Sequence, residues 1–278
     1  MTVAGLQSIA AALAAARDQI PVSEARLLLR HVLGCPAAYL EAHRDAALPT
    51  AALGRFAEWV RRRAAGEPIA YLTGTREFFG RDFAVTPDVL IPRPETELLV
   101  ELGLAKLRGI PRPRLLELGT GSGCIAVSLA LELVPADVTA ADISQAALAL
   151  AMRNAADHGA AIRWLQSDWF AALDDERFDL IVANPPYIAA GDPHLRQGDL
   201  RFEPQQALAS GGDGLAAIRV IVGQAARHLL PGGWLLFEHG YDQANAVRGL
   251  LQTAGFAEIE QQRDLAGIVR VSGGQKYI

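Results

Sequence analysis

Apolar residues in roughly the first 65 positions of the chain recur at the spacing of α-helices. Residues 1–16 are rich in alanine and uncharged, but they lack the positive residues that open a signal peptide, so an amphipathic helix is expected there. A second helix is predicted to begin with Ser23 as its N-cap and to end at Gly34, and a further one to run over 50–65. Three to five short helices packed as a small bundle would bury this apolar content.

The pattern changes after Pro68, where aromatic and β-branched residues appear between glycines. The stretch Phe79-Gly80-Arg81-Asp82-Phe83 is interpreted as a hairpin turn. Pro92 and Pro94 then hold the chain extended, and a helix is expected from Thr96 to Arg108. This segment is therefore predicted to be a short β connector between the helical part and the rest of the chain.

From residue 114 onward, short apolar runs typical of buried strands alternate with segments of helical periodicity. This alternation predicts an α/β fold, a doubly wound and mainly parallel Rossmann-like sheet of seven strands. The loop between the last two strands is too short for a helical crossover, so these two should form an antiparallel pair at one edge. Strands are predicted at 114–118, 137–142, 162–167, 178–183, 233–238, 257–262 and 267–272, and helices near 122–133, 144–158, 214–230 and 242–254.

These patterns divide the chain into a helical bundle over 1–70, a β-hairpin linker over 71–92 and an α/β domain over 93–278. Within the α/β domain, residues 188–213 show no clear periodicity. A long loop without secondary structure in a compact domain is usually a lid or a binding loop, so this segment is expected to cover a site.

Composition and charge limit the classes of protein to which this chain can belong. The chain is 51% hydrophobic and 21% charged, as globular proteins are, and its net charge of −5 argues against wrapping nucleic acid. Its densest basic run, Arg61-Arg62-Arg63, is interpreted as a solvated helix face, with contact to an acidic or ribonucleoprotein partner as the alternative. No metal is expected, because neither the two cysteines, Cys35 and Cys124, nor the six histidines show the spacing of metal ligands. Two cysteines far apart in the sequence also predict no disulfide, which indicates a reducing compartment. No apolar run long enough to indicate a membrane span is present.

A glycine-rich segment, Gly119-Thr120-Gly121-Ser122-Gly123, comes after the first strand of the α/β domain and precedes a helix. Glycines here permit a tight turn and a close approach of the backbone to a ligand, although a turn needed only for packing is the alternative. The dinucleotide pattern G-x-G-x-x-G is not met, because the third glycine comes one residue early and Cys124 takes the sixth position. S-adenosylmethionine has no phosphate and needs no pyrophosphate cradle, so it is favoured over NAD or FAD.

Acidic residues come after the next two strands. Asp142 ends the second strand about 20 residues after the glycines, where a carboxylate suits the two hydroxyls of a ribose. Asp168 and Trp169 come after the third strand, where Asp168 could accept a hydrogen bond from an adenine amino group while Trp169 or Phe170 covers the ring. A capping aspartate and core aromatics are the alternative for this pair. Ligands of parallel sheets bind beyond the carboxyl ends of the strands, so all these residues are expected to face one crevice.

The fourth strand ends in Asn184-Pro185-Pro186-Tyr187, a stiff corner in which two prolines offer no backbone donor. Methyl transfer to an amide or aryl-amine nitrogen needs that weak nucleophile to be aligned with the methyl group. The Asn184 side-chain oxygen and the Pro185 carbonyl could hold its two N–H groups and favour the positive charge that develops on nitrogen. Pro186 cannot compete for these acceptors, and Tyr187 could pack over the planar group. As a bare tetrapeptide the motif would be read as a turn.

Together these residues resemble a known family. The runs E-L-G-T-G-S-G-C-I-A, A-D-I-S, S-D-W-F and N-P-P-Y-I are similar to those of seven-stranded S-adenosylmethionine-dependent methyltransferases. The segments V-L-I-P-R-P-E-T-E, D-P-H-L-R-Q-G-D-L-R-F-E-P and F-E-H-G narrow the resemblance to the protein-(glutamine-N5) methyltransferases of peptide-chain release factors, the HemK/PrmC family. The resemblance covers essentially the whole chain.

The resemblance implies methylation of the glutamine in the Gly-Gly-Gln loop of class I release factors, which modulates translation termination. The cofactor would be S-adenosylmethionine, leaving as S-adenosylhomocysteine, with no metal. It would contact residues 119–123, Asp142, Asp168, Trp169 and Asn184. The substrate amide would lie at Asn184 to Tyr187, with Asn184, Pro185 and Tyr187 as the catalytic residues. Arg93 to Thr96 would frame the pocket, residues 202–204 would belong to the lid, and the helical bundle would help to dock the release factor. A cytoplasmic monomer that binds neither DNA nor membrane is expected.

Two other functions stay open from the residues alone. A glutamine methyltransferase of a ribosomal protein would share the Asn-Pro-Pro-Tyr motif, and a nucleic-acid amino methyltransferase would need a basic face to flip a base. The tripeptide Gly273-Gly274-Gln275 near the C-terminus also repeats the presumed substrate sequence. We interpret it as a coincidence at a strand end, with self-methylation as the alternative hypothesis.

Overall fold

The structure is a computed structural model that describes residues 8–277. The chain divides into two compact units, Met1–Gly74 and Thr75–Ile278. The predicted helix over 1–16 is observed only from residue 9, and residues 1–7 lie outside the described part. The three-part division predicted from the sequence stays a prediction.

The first unit contains α1 (Ile9–Ala16), α2 (Val22–Leu33), α3 (Ala37–Ala42), α4 (Thr50–Ala64) and α5 (Ile69–Thr73). One apolar core joins them, and its largest members include Leu28, Leu29 and Phe56. Gly34 ends α2 in the left-handed conformation at φ 60°, as predicted. The predicted N-cap was wrong, because α2 begins at Val22 after Pro21 and Ser23 lies inside the helix.

The basic run at the end of α4 is paired within this unit. Each arginine side chain reaches a carboxylate, so the run is not a free cationic patch. This finding favours the interpretation as a solvated helix face over a contact surface for an acidic partner. The pairs are Arg61 with Glu58, Arg62 with Glu67 and Arg63 with Glu24.

The second unit opens with the predicted hairpin of β1 (Thr75–Phe78) and β2 (Arg81–Ala84). Phe79 and Gly80 form its turn with φ values of 51° and 73°, the left-handed geometry that two-residue hairpin loops favour. Residues 71–73, which the sequence assigned to the linker, end α5 instead. A 3-10 turn at Pro94–Thr96 then leads into α6 (Glu97–Leu107), close to the predicted bounds.

A sheet of seven strands forms the centre of this unit, in the order β5-β4-β3-β6-β7-β9-β8. Strands β3 to β7 are parallel, and β9 runs antiparallel to both β7 and β8, which confirms the predicted antiparallel pair at one edge. The strands are β3 (Arg114–Leu118), β4 (Asp137–Asp142), β5 (Arg163–Gln166), β6 (Phe178–Ala183), β7 (Leu229–Glu238), β8 (Ala257–Arg263) and β9 (Val269–Gln275), and the helices are α7 (Cys124–Glu132), α8 (Gln145–His158), α9 (Ala216–Ala225) and α10 (Ala244–Thr253).

Apolar residues bury both faces of the sheet. Side chains of α6 and α7 form one cluster with β3 and β6, and side chains of α9 and α10 form another with β6 and β7. The central strands are therefore mainly apolar, as parallel strands covered on both faces require, with the buried Glu117 on β3 as an exception. No helix among residues 8–277 is long and apolar enough to cross a membrane.

The segment 188–213 is ordered rather than structureless. It contains short 3-10 helices at Pro193–Arg196, Gly198–Phe202 and Gln205–Ala207. Its two ends pair with each other, since Ile188 N donates to Leu208 O and Ser210 N donates to Ile188 O. The buried Glu203 accepts hydrogen bonds from the Arg93 side chain and from Ile91 N, so the segment is held against residues 91–93. The sequence of this segment shows no helix or strand periodicity because the segment consists of short 3-10 helices and turns.

The tripeptide Gly273-Gly274-Gln275 lies inside β9, between β7 and β8. A Cβ on Gly273 would lie 2.5 Å from Leu236 Cδ2 and closer still to the Leu235 carbonyl oxygen, so this glycine permits close strand packing. The Gln275 side chain donates to Gly232 O at 2.8 Å. These contacts give the tripeptide a structural role in the sheet and count against self-methylation.

Gly273→Ala is expected to lower the free energy of unfolding of the second unit by about 1–3 kcal/mol, because the backbone of β7 cannot move away from the added methyl group. Gly249→Ala is the matched control, since Gly249 lies in α10 with open space around its Cβ. That change should raise the stability by roughly 0.5–1 kcal/mol. Urea denaturation of both variants measures the difference, and equal effects of the same sign would contradict it.

Candidate active site

The order of the strands brings the predicted site residues together. The chain proceeds from β3 to β4 and β5 in one direction and from β6 to β7 in the other, so the direction reverses between β3 and β6. Leu118 at the end of β3 pairs with Ala141 on one side and Ala183 on the other. The residues next in the chain, Gly119, Asp142 and Asn184, therefore lie side by side in the crevice where open α/β sheets bind ligands.

The glycine segment forms a tight turn between β3 and α7. Gly119 and Gly121 have φ values of 68° and 55°, which favour glycine. The amides of Gly119 and Thr120 both donate to Ala141 O, which ties the turn to β4. Gly123 also has a positive φ, but its role is packing: a Cβ there would lie 3.0 Å from the Ala151 methyl group.

Asp142 holds the loops around it. Its Oδ2 accepts from Gly121 N and its Oδ1 accepts from Ser144 N, both at 2.8 Å. Burial raises the pKa of this carboxyl, and the backbone hydrogen bonds oppose the rise. Each oxygen can accept a further hydrogen bond, so Asp142 can bind the hydroxyl pair expected from the sequence.

A cavity of about 290 Å³ lies at the carboxyl ends of β3 to β6. Most predicted ligand-binding residues line it: Gly119, Thr120, Gly121, Ser122, Asp142, Asp168, Trp169, Asn184 and Pro186. The segment from Asp88 to Thr96 and residues Gln206 and Ala207 of the 188–213 segment also contribute. Of the residues that the family resemblance places around the pocket, Arg93 and Thr96 line the cavity, whereas Pro94, Glu95 and residues 202–204 do not.

Trp169 and Phe170 have separate roles. Trp169 lines the cavity beside Asp168 and has a positive φ of 50°. Phe170 is buried in the apolar cluster under α9 and stacks on His228 with ring centroids 4.8 Å apart. Of the two aromatic residues considered as a cover for the ligand, the structure therefore places only Trp169 at the cavity.

Glu117 is a cavity residue that the sequence analysis did not identify. It lies on β3 with 1% of its surface exposed, and its Oε2 accepts from Thr120 Oγ1 and Ala126 N. Its Oε1 is buried without a hydrogen-bond partner. Burial raises the pKa of Glu117 to about 8. A charged residue within the apolar run Leu115 to Leu118 was the signal that could have found it.

Asn184 joins the main cavity to a smaller one of about 50 Å³. Its Nδ2 donates to Thr96 Oγ1 at 3.1 Å, while its Oδ1 is buried without a partner. Pro185 and Tyr187 line the smaller cavity together with apolar residues of the 188–213 segment, Leu200 and Leu208.

Tyr187 is held at both its ends. Its hydroxyl donates to Glu238 Oε1 at 2.9 Å, and its carbonyl accepts from Gln243 Nε2 at 2.9 Å. A Cβ on Gly214 would clash with that carbonyl oxygen, so glycine is required there. Burial raises the pKa of Tyr187 above its usual range, which keeps the phenol neutral.

The residues present fit S-adenosylmethionine. The oxygens Glu117 Oε1 and Asn184 Oδ1 belong to residues that line the cavity, and both lack donors. A ligand with N–H groups would satisfy such acceptors, and S-adenosylmethionine carries an ammonium group and an adenine amino group. Among residues 8–277, no group of three or more His, Cys, Asp or Glu is arranged to hold a metal ion.

Cys124 does not supply a nucleophile here, although it lines the cavity. Burial raises the pKa of its thiol to about 12, with the nearby Glu117 contributing to the rise. Since the thiolate is the reactive form, this cysteine is inert near neutral pH. The acceptor oxygens, rather than a nucleophilic side chain, therefore characterise the site.

Comparison with known proteins adds sequence relatives over nearly the whole chain. A family model described as the PrmC N-terminal domain matches residues 5–74, and one described as the methyltransferase small domain matches residues 95–214. A protein of Bordetella pertussis named release factor glutamine methyltransferase is 56% identical over 256 residues, which span 92% of this chain and 95% of that protein. A protein of the same name from Burkholderia pseudomallei is 57% identical over 259 residues, 91% of each chain.

Solved structures agree on the fold. A crystal structure of a methyltransferase from Pyrococcus furiosus aligns with a TM-score of 0.55 at 21% identity. The alignment covers 80% of this chain and 100% of that chain. At this identity the similarity demonstrates the methyltransferase fold, which agrees with the α/β class predicted from the strand and helix pattern.

Glu117→Gln is expected to change how stability depends on pH. The pKa of Glu117 is raised from 4.5 to about 8 in the folded chain, so the stability it contributes is complete below pH 4.5 and is lost as the pH rises through about 8. The free energy of unfolding of the wild type should therefore fall relative to that of the variant over this range. Denaturant titrations at several pH values measure it, with the exposed Glu101→Gln on α6 as the control for removal of a charge. A constant difference between wild type and Glu117→Gln would contradict the assignment.

Proposed function

Because the chain belongs to the family of release factor glutamine methyltransferases, we propose that it methylates the glutamine side-chain amide in the Gly-Gly-Gln loop of class I peptide-chain release factors. The methyl donor is S-adenosylmethionine, and the product on the protein is N5-methylglutamine. The modification would modulate translation termination.

One observation supports this function most directly. Asn184 Oδ1 is a buried acceptor without a partner, on a residue shared by the two adjoining cavities. An unpaired buried acceptor costs on the order of 1–3 kcal/mol, so its presence is best explained by a donor that arrives with a ligand. The side-chain amide of glutamine brings two such N–H groups.

The larger cavity is the proposed cofactor site and the smaller one the proposed acceptor site. S-adenosylmethionine supplies an electrophilic methyl group on its sulfonium. We assign the backbone of residues 119–122 and the Asp142, Asp168 and Trp169 side chains to binding of the cofactor, with Asn184 at the junction, while Gly123 serves packing against Ala151. Pro185, Tyr187, Leu200 and Leu208 form the walls of the acceptor site.

Asn184 and Pro185 carry the positioning of the nucleophile. We assign one amide N–H of the substrate to Asn184 Oδ1 and the other to the Pro185 carbonyl. Two acceptors in fixed places turn the nitrogen lone pair toward the methyl group and favour the positive charge that nitrogen gains during transfer. No strong base is needed, because the proton can leave for solvent after transfer.

Pro186 and Tyr187 complete the acceptor site. Pro186 has no N–H to compete for the two acceptors. Tyr187 stays a neutral phenol hydrogen-bonded to Glu238, and its ring is a flat apolar wall for a planar amide. Both residues come soon after β6, so the rigid sheet sets their distance from the cofactor.

The remaining parts of the proposal concern partners and location. The N-terminal helical unit would help to dock the release factor, which is a large protein substrate. We place the protein in the cytoplasm, in agreement with its two free cysteines, Cys35 and Cys124. Its net charge of −5 agrees with a protein substrate rather than DNA. We expect the enzyme to act as a monomer, away from membranes.

Labelled S-adenosylmethionine, offered with purified enzyme, is expected to mark a class I release factor. Its Gln→Ala variant in the Gly-Gly-Gln loop should stay unlabelled, because the accepting nitrogen is gone. The parallel samples contain ribosomal proteins, tRNA and DNA, and label is measured by scintillation and mass spectrometry. Label in a ribosomal protein or in nucleic acid, with none in the release factor, would overturn the proposal.

Asn184→Ala is expected to lower kcat on the order of a hundredfold, since one of two acceptors for the developing charge is lost. Calorimetry should find the dissociation constant for S-adenosylmethionine changed by less than about tenfold, because Asp142 and the glycine turn keep their contacts. Asn245→Ala, an exposed change on α10, is the control. Normal turnover by Asn184→Ala would remove Asn184 from the mechanism.

A further inference from the structure

An asparagine can serve as an acceptor only in one of two orientations. Its side-chain oxygen and its NH2 group have nearly the same shape, so a rotation of 180° about the last bond exchanges an acceptor for a donor. With the NH2 group turned toward the substrate, Asn184 would face the glutamine NH2 with donors of its own. The proposed function therefore needs something that sets the orientation of this amide.

Glu238 and Thr96 are placed to set it. Glu238 is the last residue of β7 and is 2% exposed, and its Oε2 lies 2.6 Å from Thr96 Oγ1. Thr96 Oγ1 donates to Glu238 Oε2, so the single proton of the threonine hydroxyl is committed to Glu238. The Thr96 oxygen then has only lone pairs to offer to its other neighbour.

That other neighbour is Asn184. Its Nδ2 lies 3.1 Å from Thr96 Oγ1 and donates to it. Rotation of the amide would place two acceptor oxygens, Asn184 Oδ1 and Thr96 Oγ1, against each other at that distance. One orientation is therefore favoured by the chain itself, and in that orientation Oδ1 has no partner among residues 8–277.

Glu238 also accepts a hydrogen bond from a second hydroxyl group. The Tyr187 hydroxyl donates to Oε1 at 2.9 Å, so each carboxylate oxygen receives one O–H group. Burial raises the pKa of Glu238, while these two hydrogen bonds and the charge of Arg270 oppose the rise and Glu95 adds to it. The same carboxylate thus fixes both Asn184, through Thr96, and the ring of Tyr187.

We propose that Thr96 and Glu238 are positioning residues that orient the Asn184 amide, so that its Oδ1 faces the N–H group of the methyl acceptor. This inference rests on the proposed function, since it assumes that Asn184 accepts a hydrogen bond from the substrate. Neither residue is assigned a contact with the reacting atoms, and both act through Asn184. The buried carboxylate determines the direction of each hydrogen bond between itself and the substrate.

We call the hydrogen-bonded series from Glu238 through Thr96 to Asn184 the relay. The substitutions Thr96→Val and Thr96→Ser form the matched pair that tests it. Valine keeps the shape but removes the acceptor, so kcat toward the release factor should fall on the order of ten- to a hundredfold. Serine keeps the hydroxyl and should restore kcat to within about threefold of the wild type. The dissociation constant for S-adenosylmethionine should stay within about threefold in both, because neither change removes a side chain that we assign to cofactor binding.

Introducing Thr96→Val into the Asn184→Asp enzyme separates an effect on the orientation of the side chain at position 184 from a general loss of structure. A carboxylate has acceptors on both sides, so its function does not depend on which way it is turned. Thr96→Val should therefore lower kcat much less in the Asn184→Asp enzyme than in the Asn184 enzyme, by under about threefold. An equal loss in both backgrounds would mean that Thr96 acts through packing, and it would overturn the relay.

Wild-type measurements keep the two proposals distinguishable. If the wild type labels the release factor and Thr96→Val turns over at the wild-type rate, the relay is wrong and the function stands. If the wild type does not label the release factor, both are wrong. If the Thr96→Val enzyme does not fold, it will also fail to bind S-adenosylmethionine. Thr96→Ala then replaces it, and the same results are expected to support or contradict the relay.

A direct measurement on the wild type does not depend on any variant folding. Nuclear Overhauser contacts between the Asn184 Nδ2 protons and the Thr96 side chain are expected, because Nδ2 lies 3.1 Å from Oγ1. The Asn184 signals are assigned by their loss in Asn184→Asp. Absence of these contacts in the folded enzyme would overturn the proposed orientation.

Discussion

The whole site depends on the parallel pairing of β3 with β4 on one side and with β6 on the other. Leu118 faces both Ala141 and Ala183 in register, so the next residue of each strand emerges at the same level. Because the chain order reverses between β3 and β6, no crossover covers this point, and a crevice stays open above it. The glycine turn, Asp142 and Asn184 are neighbours for this reason alone, although up to 65 residues of sequence separate them.

Buried polar groups then give the crevice its chemistry. Glu117 and Glu238 each lie almost fully inside apolar layers, where an unpaired charge is costly. Both are partly satisfied by hydroxyl donors, Thr120 for the first and Thr96 and Tyr187 for the second. Of the three buried side-chain oxygens without a partner among residues 8–277, Glu117 Oε1 and Asn184 Oδ1 belong to residues that line the cavity, and Ser128 Oγ lies in α7. Leaving the two acceptors at the cavity unpaired lowers the stability of the free protein and favours binding of a ligand that carries N–H groups.

Much of the fold was predictable because local patterns and strand periodicity agree. The bounds of β3, β4 and β6 were predicted as observed, since short, mainly apolar or small-residue runs between polar segments leave little choice for a strand covered on both faces. The less regular parts of the fold were not predicted correctly. Ser23 was a plausible cap, but Pro21 starts α2 earlier, and the segment 188–213 is built of 3-10 turns that have no periodicity to read. Phe170 and Trp169 looked equivalent in sequence, and only packing put one in the core and the other at the cavity.

By itself, the sequence determined the alternation of strands and helices, the glycine turn, the acid at the end of β4 and the stiff Asn-Pro-Pro-Tyr corner. Each of these depends on residues close together in the chain, whose backbone preferences and spacing are local properties. Only the tertiary structure decided which distant side chains meet. Thr96, Asn184 and Glu238 come from a 3-10 turn and from the ends of two different strands, and nothing local relates them. Since the direction of a hydrogen bond depends on the state of both partners, the orientation of the Asn184 amide is a property of that contact and not of the motif that contains it.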